Sequence, residues 1–323
     1  MTASSHTTQT RSASMHRNRL ITAALATATA AGLSALTGVQ APAASAEIPI
    51  TAGDGGIVEQ TCGTTPVQIR VDSANATGGK VCFGLVKDSG WVAVNITGSY
   101  GVVNNLTVPV TVAFKLPNGA VYWSTNVNPG EVKTVDVNRS GSTVVELQVS
   151  PVTSPTGPST GQLTPGTEQP TVVSLRNAAS TTTPRVLRVS WSGVVSDVIN
   201  RNSGFTDRLD ASFIVTPGLS NTECVSLESA AYPGVFLQTT DGTTPTVTVS
   251  STPDATAATW CATAVSSPAT SVRLISAADQ RYALSTTTAG AVSVTTTRAA
   301  DSAWFVDQGL AYAGTTTGTT TGK

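Results

Sequence analysis

The feature that most constrains this chain is a motif written three times between residues 172 and 312. The copies open on Val173-Ser174-Leu175, Val225-Ser226-Leu227 and Val272-Arg273-Leu274. A second short apolar run follows at Val186-Leu187, Phe236-Leu237 and Ala283-Leu284. A third comes at Val194-Val195, Val247-Thr248-Val249 and Val292-Ser293-Val294. Each copy closes on an aromatic, in Asp210-Ala211-Ser212-Phe213, Ala257-Ala258-Thr259-Trp260 and Asp301-Ser302-Ala303-Trp304. The front spacings are 52 and 47 residues, and the back spacings 47 and 44. Self-similarity at this period marks a repeat architecture. Four short β-runs in each of three copies predict twelve strands and a β-trefoil, because a propeller needs at least a fourth blade.

Ahead of the repeats, residues 1 to 46 read as a segment outside the fold. Arg11, Arg17 and Arg19 form a basic start, Leu20 to Leu36 is apolar but diluted with Thr, Ser and Gly, and Ala44-Ser45-Ala46 offers a small-residue cleavage site. The expectation is a secretory signal, and hence a secreted, extracellular protein with no membrane insertion. Both histidines, His6 and His16, fall inside it. A mature chain without them excludes a Ser-His-Asp site, a His-ligated zinc and a His general base. No metal and no cofactor is expected. Loss of the three arginines takes the formal charge from −1 to −4. Such a chain has no basic footprint for nucleic acid, and an uncharged partner such as a neutral polysaccharide fits it.

The four cysteines are Cys62, Cys82, Cys224 and Cys261. Four allow three pairings, of which one pair on each side of the linker is the simplest in an oxidising compartment. The trefoil reading places Cys224 at the first strand of copy two and Cys261 on its last, as neighbours.

Residues 47 to 152 alternate as a small all-β, sandwich-like domain. Strands are expected over 67–72, 80–86, 91–96, 107–116, 132–137 and 143–149, with a turn at Pro117-Asn118-Gly119. Its carboxylates, Glu131 and Glu146 among them, are expected mostly at strand ends and turns. A glycosidase needs two carboxylates roughly 5–9.5 Å apart across a cleft, and about a hundred residues of sandwich leave little material for one. No catalytic residue is assigned. Trp91, Tyr100, Tyr122 and Trp123 either form a sugar-stacking face or pack in the core. Residues 153 to 170, TSPTGPSTGQLTPGTEQP, read as an extended linker between independent modules. The stretch from 313 to 323 reads as a disordered tail.

Copy two runs Ser226-Leu227-Glu228-Ser229-Ala230-Ala231-Tyr232-Pro233-Gly234-Val235-Phe236-Leu237-Gln238-Thr239. This resembles the SxxSxNYPGxYLRH stretch of the arabinose-binding domain of α-L-arabinofuranosidase B, carbohydrate-binding module family 42. The closing Asp-x-x-aromatic, followed by Val215-Thr216-Pro217-Gly218-Leu219 or Asp307-Gln308-Gly309-Leu310, is similar to that family's DATFxxxPGL ending. The resemblance covers residues 172 to 312 and implies a β-trefoil whose pockets use the His of YLRH, the Asp of DATF and a Tyr. Here the His position holds Val189, Thr239 and Thr286. The Asp position keeps Asp210 and Asp301 but has Ala257 in copy two. Tyr232 stands in copy two, Tyr282 lies one residue before the aligned position in copy three, and Arg188 matches the Arg of YLRH.

The resemblance thus implies Asp210, Asp301, Tyr232, Tyr282 and Arg188 as carbohydrate-binding candidates. In a plain trefoil the two aspartates would serve as turn caps. The leading expectation is a secreted, monomeric carbohydrate-binding protein directed at arabinose-containing polysaccharide such as arabinoxylan or arabinan. Two alternatives stand beside it. One is an α-L-arabinofuranosidase-like hydrolase acting on L-arabinose-containing substrates. The other is a non-catalytic extracellular interaction protein whose trefoil has lost its sugar sites.

Overall fold

A computed structural model describes residues 50–117, 121–136, 141–155, 161–167, 170–180, 182–296 and 298–313. The expected signal segment at 1–46, the expected turn at 118–119 and all of the expected tail but Ala313 lie outside the described residues. Residues 50–149 build one nine-stranded sheet. Its strands are β1 (Ile50–Gly53), β2 (Ile57–Gln60), β3 (Ile69–Ser73), β4 (Lys80–Leu85), β5 (Gly90–Asn104), β6 (Val110–Lys115), β7 (Tyr122–Val127), β8 (Val132–Thr134) and β9 (Ser142–Val149). The order is β2-β4-β3-β5-β9-β6-β7, with β1 and β8 also on β5. β5 runs on for eight residues past the predicted Ile96, because register shifts between Ala93 and Ser99 let it bend from one set of partners to another. Its inward residues Val92, Val94, Ile96 and Val102 pack with Ile69, Phe83, Val112 and Leu147 in a core that makes this unit sandwich-like. β4 lies between β2 and β3, and Cys82 on β4 is bridged to Cys62 just beyond β2.

The three copies give the predicted twelve strands. Copy one contributes β10 (Thr171–Asn177), β11 (Val186–Ser190), β12 (Gly193–Asp197) and β13 (Phe213–Pro217). Copy two contributes β14 (Val225–Ser229), β15 (Phe236–Thr239), β16 (Val247–Ser250) and β17 (Trp260–Val265). Copy three contributes β18 (Ser271–Ser276), β19 (Ala283–Thr286), β20 (Val292–Thr295) and β21 (Trp304–Gln308). The first and last strand of each copy close a six-stranded barrel: β10-β13-β14-β17-β18-β21, with β21 returning to β10. Closure removes the exposed sheet edge. The middle strands pair as hairpins β11-β12, β15-β16 and β19-β20. Phe213, Trp260 and Trp304 all sit fully buried among Leu175, Leu227 and Leu274. The Trp260 indole donates to Leu237 O at 3.1 Å and the Trp304 indole to Leu284 O at 3.0 Å. Phe213 has no such donor, so copy one forgoes that bond. Cys224, one residue before β14, is bridged to Cys261 on the neighbouring β17. Closing that loop adds about 3–4 kcal/mol on the chain-entropy view.

The independence expected of the two β units is not what the structure shows. Glu146, in the middle of β9, is 1% exposed rather than solvated at a strand end. Its carboxylate takes a fork from Arg208, Nη2 to Oε1 at 2.6 Å and Nη1 to Oε2 at 3.1 Å, and a longer contact from Arg201 at 3.4 Å. The Arg201 guanidinium lies 3.3 Å from the Trp91 ring centre, and Trp91 stacks on Tyr312 at 5.9 Å. Asn202 grips Val152 at both its N–H and its C=O, at 2.8 and 2.9 Å. Within the supposed linker, Leu163 packs against the trefoil core. The aromatic quartet accordingly divides. Trp91 is buried at this junction, Tyr122 is half-buried against Phe205, and Tyr100 and Trp123 are exposed.

Removing Glu146 would leave two buried guanidinium groups without their counter-ion, a change that costs about 3–5 kcal/mol. The native chain should melt in one cooperative transition, and Glu146→Ala should lower its midpoint. Two separable transitions, with the trefoil one unmoved by Glu146→Ala, would contradict the shared junction.

Candidate functional site

The short helix α1, Phe205–Asp210, connects β12 to β13 and reads Phe205-Thr206-Asp207-Arg208-Leu209-Asp210. Phe205, Arg208 and Leu209 are spaced i, i+3, i+4 and therefore share one face. All three are buried, with Phe205 and Leu209 packed beside Val145 and Ala113 of the sandwich-like unit. Asp207 and Asp210, also three apart, occupy the other face. Their carboxylates meet Arg188 of β11, whose Nη2 donates to Asp207 Oδ1 at 2.7 Å and to Asp210 Oδ2 at 3.2 Å. Arg188 Nη1 donates to Asp197 Oδ2 of β12 at 3.2 Å.

Three aspartates thus surround one arginine at the end of copy one. Asp197 and Asp207 have side chains 47% exposed, whereas that of Asp210 is 15% exposed. Burial holds the Asp210 carboxyl above the ordinary aspartate value of 3.8, against the pull of Arg188 and with a further push from Asp207. Burial works against the Arg188 charge too, yet its three carboxylates outweigh that and raise its pKa. The two directions are compatible because Arg188 draws on three carboxylates, whereas Asp210 has the one arginine against its own burial and the like charge of Asp207.

Tyr232 completes the group from copy two. It opens the Tyr232-Pro233-Gly234 turn between β14 and β15, with Gly234 at φ +80 and its N–H donating to Glu228 Oε1 at 2.6 Å. A left-handed backbone of this kind favours glycine. The loop is tied to the far end of α1 by Ala230 N–H donating to Ser212 O at 3.0 Å. Tyr232 is 46% exposed. Partial burial and the Asp210 charge raise its pKa, and Arg188 lowers it. The arrangement offers a half-open aromatic face, a buried-side carboxylate acceptor and a guanidinium donor. Such a set can hold a small polyhydroxylated ring by a few directed hydrogen bonds.

The other copies do not repeat it. In copy two the position of Arg188 is Gln238, whose Oε1 accepts from Asp254 N at 3.2 Å, and Asp254 Oδ1 caps the N–H groups of Thr256 and Ala257. In copy three Asp301 lies in a 3-10 turn, exposed, and its carbonyl accepts from Asn177 Nδ2. Its carboxylate has no hydrogen bond or ion pair among the described residues. Tyr282 is half-buried beneath Arg281, which forks onto Asp279. Of the five candidates, Arg188 and Asp210 therefore bond each other, Tyr232 lies on a loop tied to the end of the same helix, and Tyr282 and Asp301 stand apart. Asp210 bonds a guanidinium and not a turn amide. The three positions of the family's histidine, Val189, Thr239 and Thr286, are all buried. Sequence reasoning missed Asp197 and Asp207 as partners of Arg188. The i, i+3 spacing of Asp207 and Asp210 was the available signal, but it becomes readable only once a helix is expected there.

Residues 175–283 match the family model of the Alpha-L-arabinofuranosidase B (ABFB) domain. The matched stretch begins in β10 and ends as β19 opens, so it takes in the whole of the Arg188 site. Among solved structures, the chain is similar to an arabinofuranosidase complexed with arabinofuranosyl-α-1,2-xylobiose, at 14% identity, 72% of this chain, 53% of that one and a TM-score of 0.38. A GH54 α-L-arabinofuranosidase soaked with 4-nitrophenyl α-L-arabinofuranoside gives 16%, 70%, 60% and 0.39. A β-trefoil protein, BEL, gives 17%, 45%, 97% and 0.34. The chain thus spans 53% to 60% of the length of these two arabinofuranosidases. No curated protein matches it.

The Asp210 carboxyl should titrate in NMR with a midpoint above 3.8, and Arg188→Ala should move that midpoint further up by removing the opposing cation. A midpoint below 3.8 in the native chain would contradict the burial assigned to it.

Proposed function

We propose that this chain is a secreted carbohydrate-binding protein whose trefoil takes an arabinose-containing polysaccharide, such as arabinoxylan or arabinan, at the Arg188–Asp210–Tyr232 site of copy one. The observation that carries the reading is that Arg188 and Asp210, two residues implied by the arabinose-binding resemblance, bond each other at a partly open spot, with the copy-two loop that bears Tyr232 tied to the end of the same helix. The match of residues 175–283 to the ABFB domain supports the sugar class. Residues 1 to 46 would be the leader that exports the chain, residues 47 to 152 and 171 to 312 its two β domains, and the monomer its working state. Asp301 and Tyr282 would form a second, weaker contact point on the same polymer, so that two weak sites act together.

The hydrolase reading loses its most central carboxylate in the sandwich-like unit, since Glu146 is enclosed by Arg208 and Arg201 and unable to meet a substrate. Glu131, the other named carboxylate, accepts from Asn128 N at 2.7 Å and so acts within its own turn.

Retention on insoluble arabinoxylan tests the proposal. A hydrogen bond to a charged group contributes about 1.5–3 kcal/mol, so Asp210→Ala should weaken retention about tenfold or more. The melting temperature should move little, because Arg188 keeps Asp197 and Asp207. Asp301→Ala alone should weaken retention less. A lower melting temperature with unchanged retention would make the cluster a structural clamp and remove the sugar reading. Acidification should also weaken retention, because protonated Asp210 loses its charge and becomes a weaker acceptor for a hydroxyl. With its pKa raised, this loss should begin at a higher pH than for an ordinary aspartate.

A further inference from the structure

Trp191 stands at the tip of the β11–β12 hairpin, 96% exposed, the most exposed large apolar side chain among the described residues. Trp260 and Trp304 are completely buried and Trp91 nearly so. An indole left in water adds nothing to the fold, since the stabilisation it could supply comes from burial. The tip itself is well built. Ser190 pairs with Gly193 at the end of a five-pair ladder. The Ser190 hydroxyl lies 2.8 Å from the Ser192 hydroxyl, donates to Gly193 O at 3.1 Å and accepts from Ser192 N at 3.2 Å. Gly193 takes φ +111, a conformation that L side chains rarely adopt. A braced turn therefore holds the indole outward, ready to meet a partner with little ordering cost.

The same hairpin carries the site described above. Arg188 is three residues before Trp191, roughly 10 Å along the strand at about 3.3 Å per residue. Asp197 sits on the returning strand and pairs with Arg188. Asp197 stands opposite Val186, beyond Arg188 as seen from the tip, so a chain of sugar units running down the hairpin from the indole would reach the half-exposed carboxylates of Asp197 and Asp207 around the arginine. We infer that Trp191 is a stacking platform for a pyranose ring of the main chain of a neutral polysaccharide. One C–H face of the ring would lie on the indole, and hydroxyls of a further sugar unit of the same chain, toward the hairpin base, would donate to Asp197 and Asp207. The inference rests on the carbohydrate reading of copy one. Charge selects this occupant over an anionic lipid surface, because the three carboxylates around Arg188 still outnumber it and its neighbour Arg185, which bonds Ser196 O, and would repel a negative partner. A neutral ring carries no such penalty.

The full chain, with Trp191→Ala and Trp191→Phe, is titrated with xylohexaose, which has pyranose rings and no arabinose, and separately with methyl α-L-arabinofuranoside. The native tryptophan emission should change on adding xylohexaose. Trp191→Ala should abolish that change and weaken binding about tenfold, while Trp191→Phe should stay within about threefold because a flat ring remains. The melting temperature should be the same for all three. Absence of a xylohexaose response in the native chain, equal binding by Trp191→Ala, or Trp191-dependent binding to phosphatidylserine–phosphatidylcholine vesicles without a xylohexaose response would each overturn the platform. The arabinoside separates the two readings. If Asp210→Ala leaves arabinoside binding intact while Trp191→Ala removes the xylohexaose response, the copy-one pocket fails and the platform stands.

Discussion

The junction between the sandwich-like unit and copy one centres on one buried carboxylate. Glu146 lies within a sheet that already satisfies its own backbone, and it faces two guanidinium groups of copy one. Taking such ions out of water is expensive, and hydrophobic residues of equal volume would serve stability as well or better. What the ions add is direction. Two further donors of Arg208 go to Leu310 O at 2.7 Å and Ser203 O at 3.0 Å, and Arg201 reaches Gly309 O at 2.5 Å. Burial pushes the Arg201 pKa down to about 10 against the pull of Glu146, which still leaves it charged at neutral pH. Every bond in this set has a fixed geometry, so the two units can dock in few other ways.

That docking reaches the candidate site through six residues. Helix α1 has one face anchored by Arg208, Phe205 and Leu209 and the other bearing Asp207 and Asp210. A helix this short has little stability of its own. It is ordered because its buried face is claimed from outside, by Glu146 and by the Val145–Ala113 surface. The sandwich-like unit therefore supports the site without touching its open side. Ser212 extends the same chain of contacts, accepting from Ala311 N and donating to Arg208 O, and its carbonyl holds the loop that presents Tyr232.

Much of the trefoil was legible in the sequence because its constraints are local and repeated. Leu175, Leu227 and Leu274, and Phe213, Trp260 and Trp304, recur at positions where only one inward face exists, so the barrel could be read before it was seen. Cys224 and Cys261 followed from the same alignment. The sandwich-like unit was legible as strands but not as a pairing order, because β5 changes partners through bulges that leave no mark on an alternating pattern. Glu146, Arg201 and Arg208 were illegible for a different reason. Charged residues are mostly solvated, and nothing local announces that three of them, 55 and 62 residues apart, will find one another. Trp191 shows the converse, since an aromatic is expected inside unless something else needs it.

The central claim is that copy one, held by its neighbour, carries the sugar site. Backbone amide shifts recorded while the full chain is titrated with an arabinofuranosyl-substituted xylo-oligosaccharide test it most directly. The account predicts the largest saturable changes at Arg188, Asp210 and Tyr232, with lesser ones at Trp191 and none at Gln238 or Asp254. Changes confined to copy two or copy three, or no saturable change in the trefoil, would contradict it.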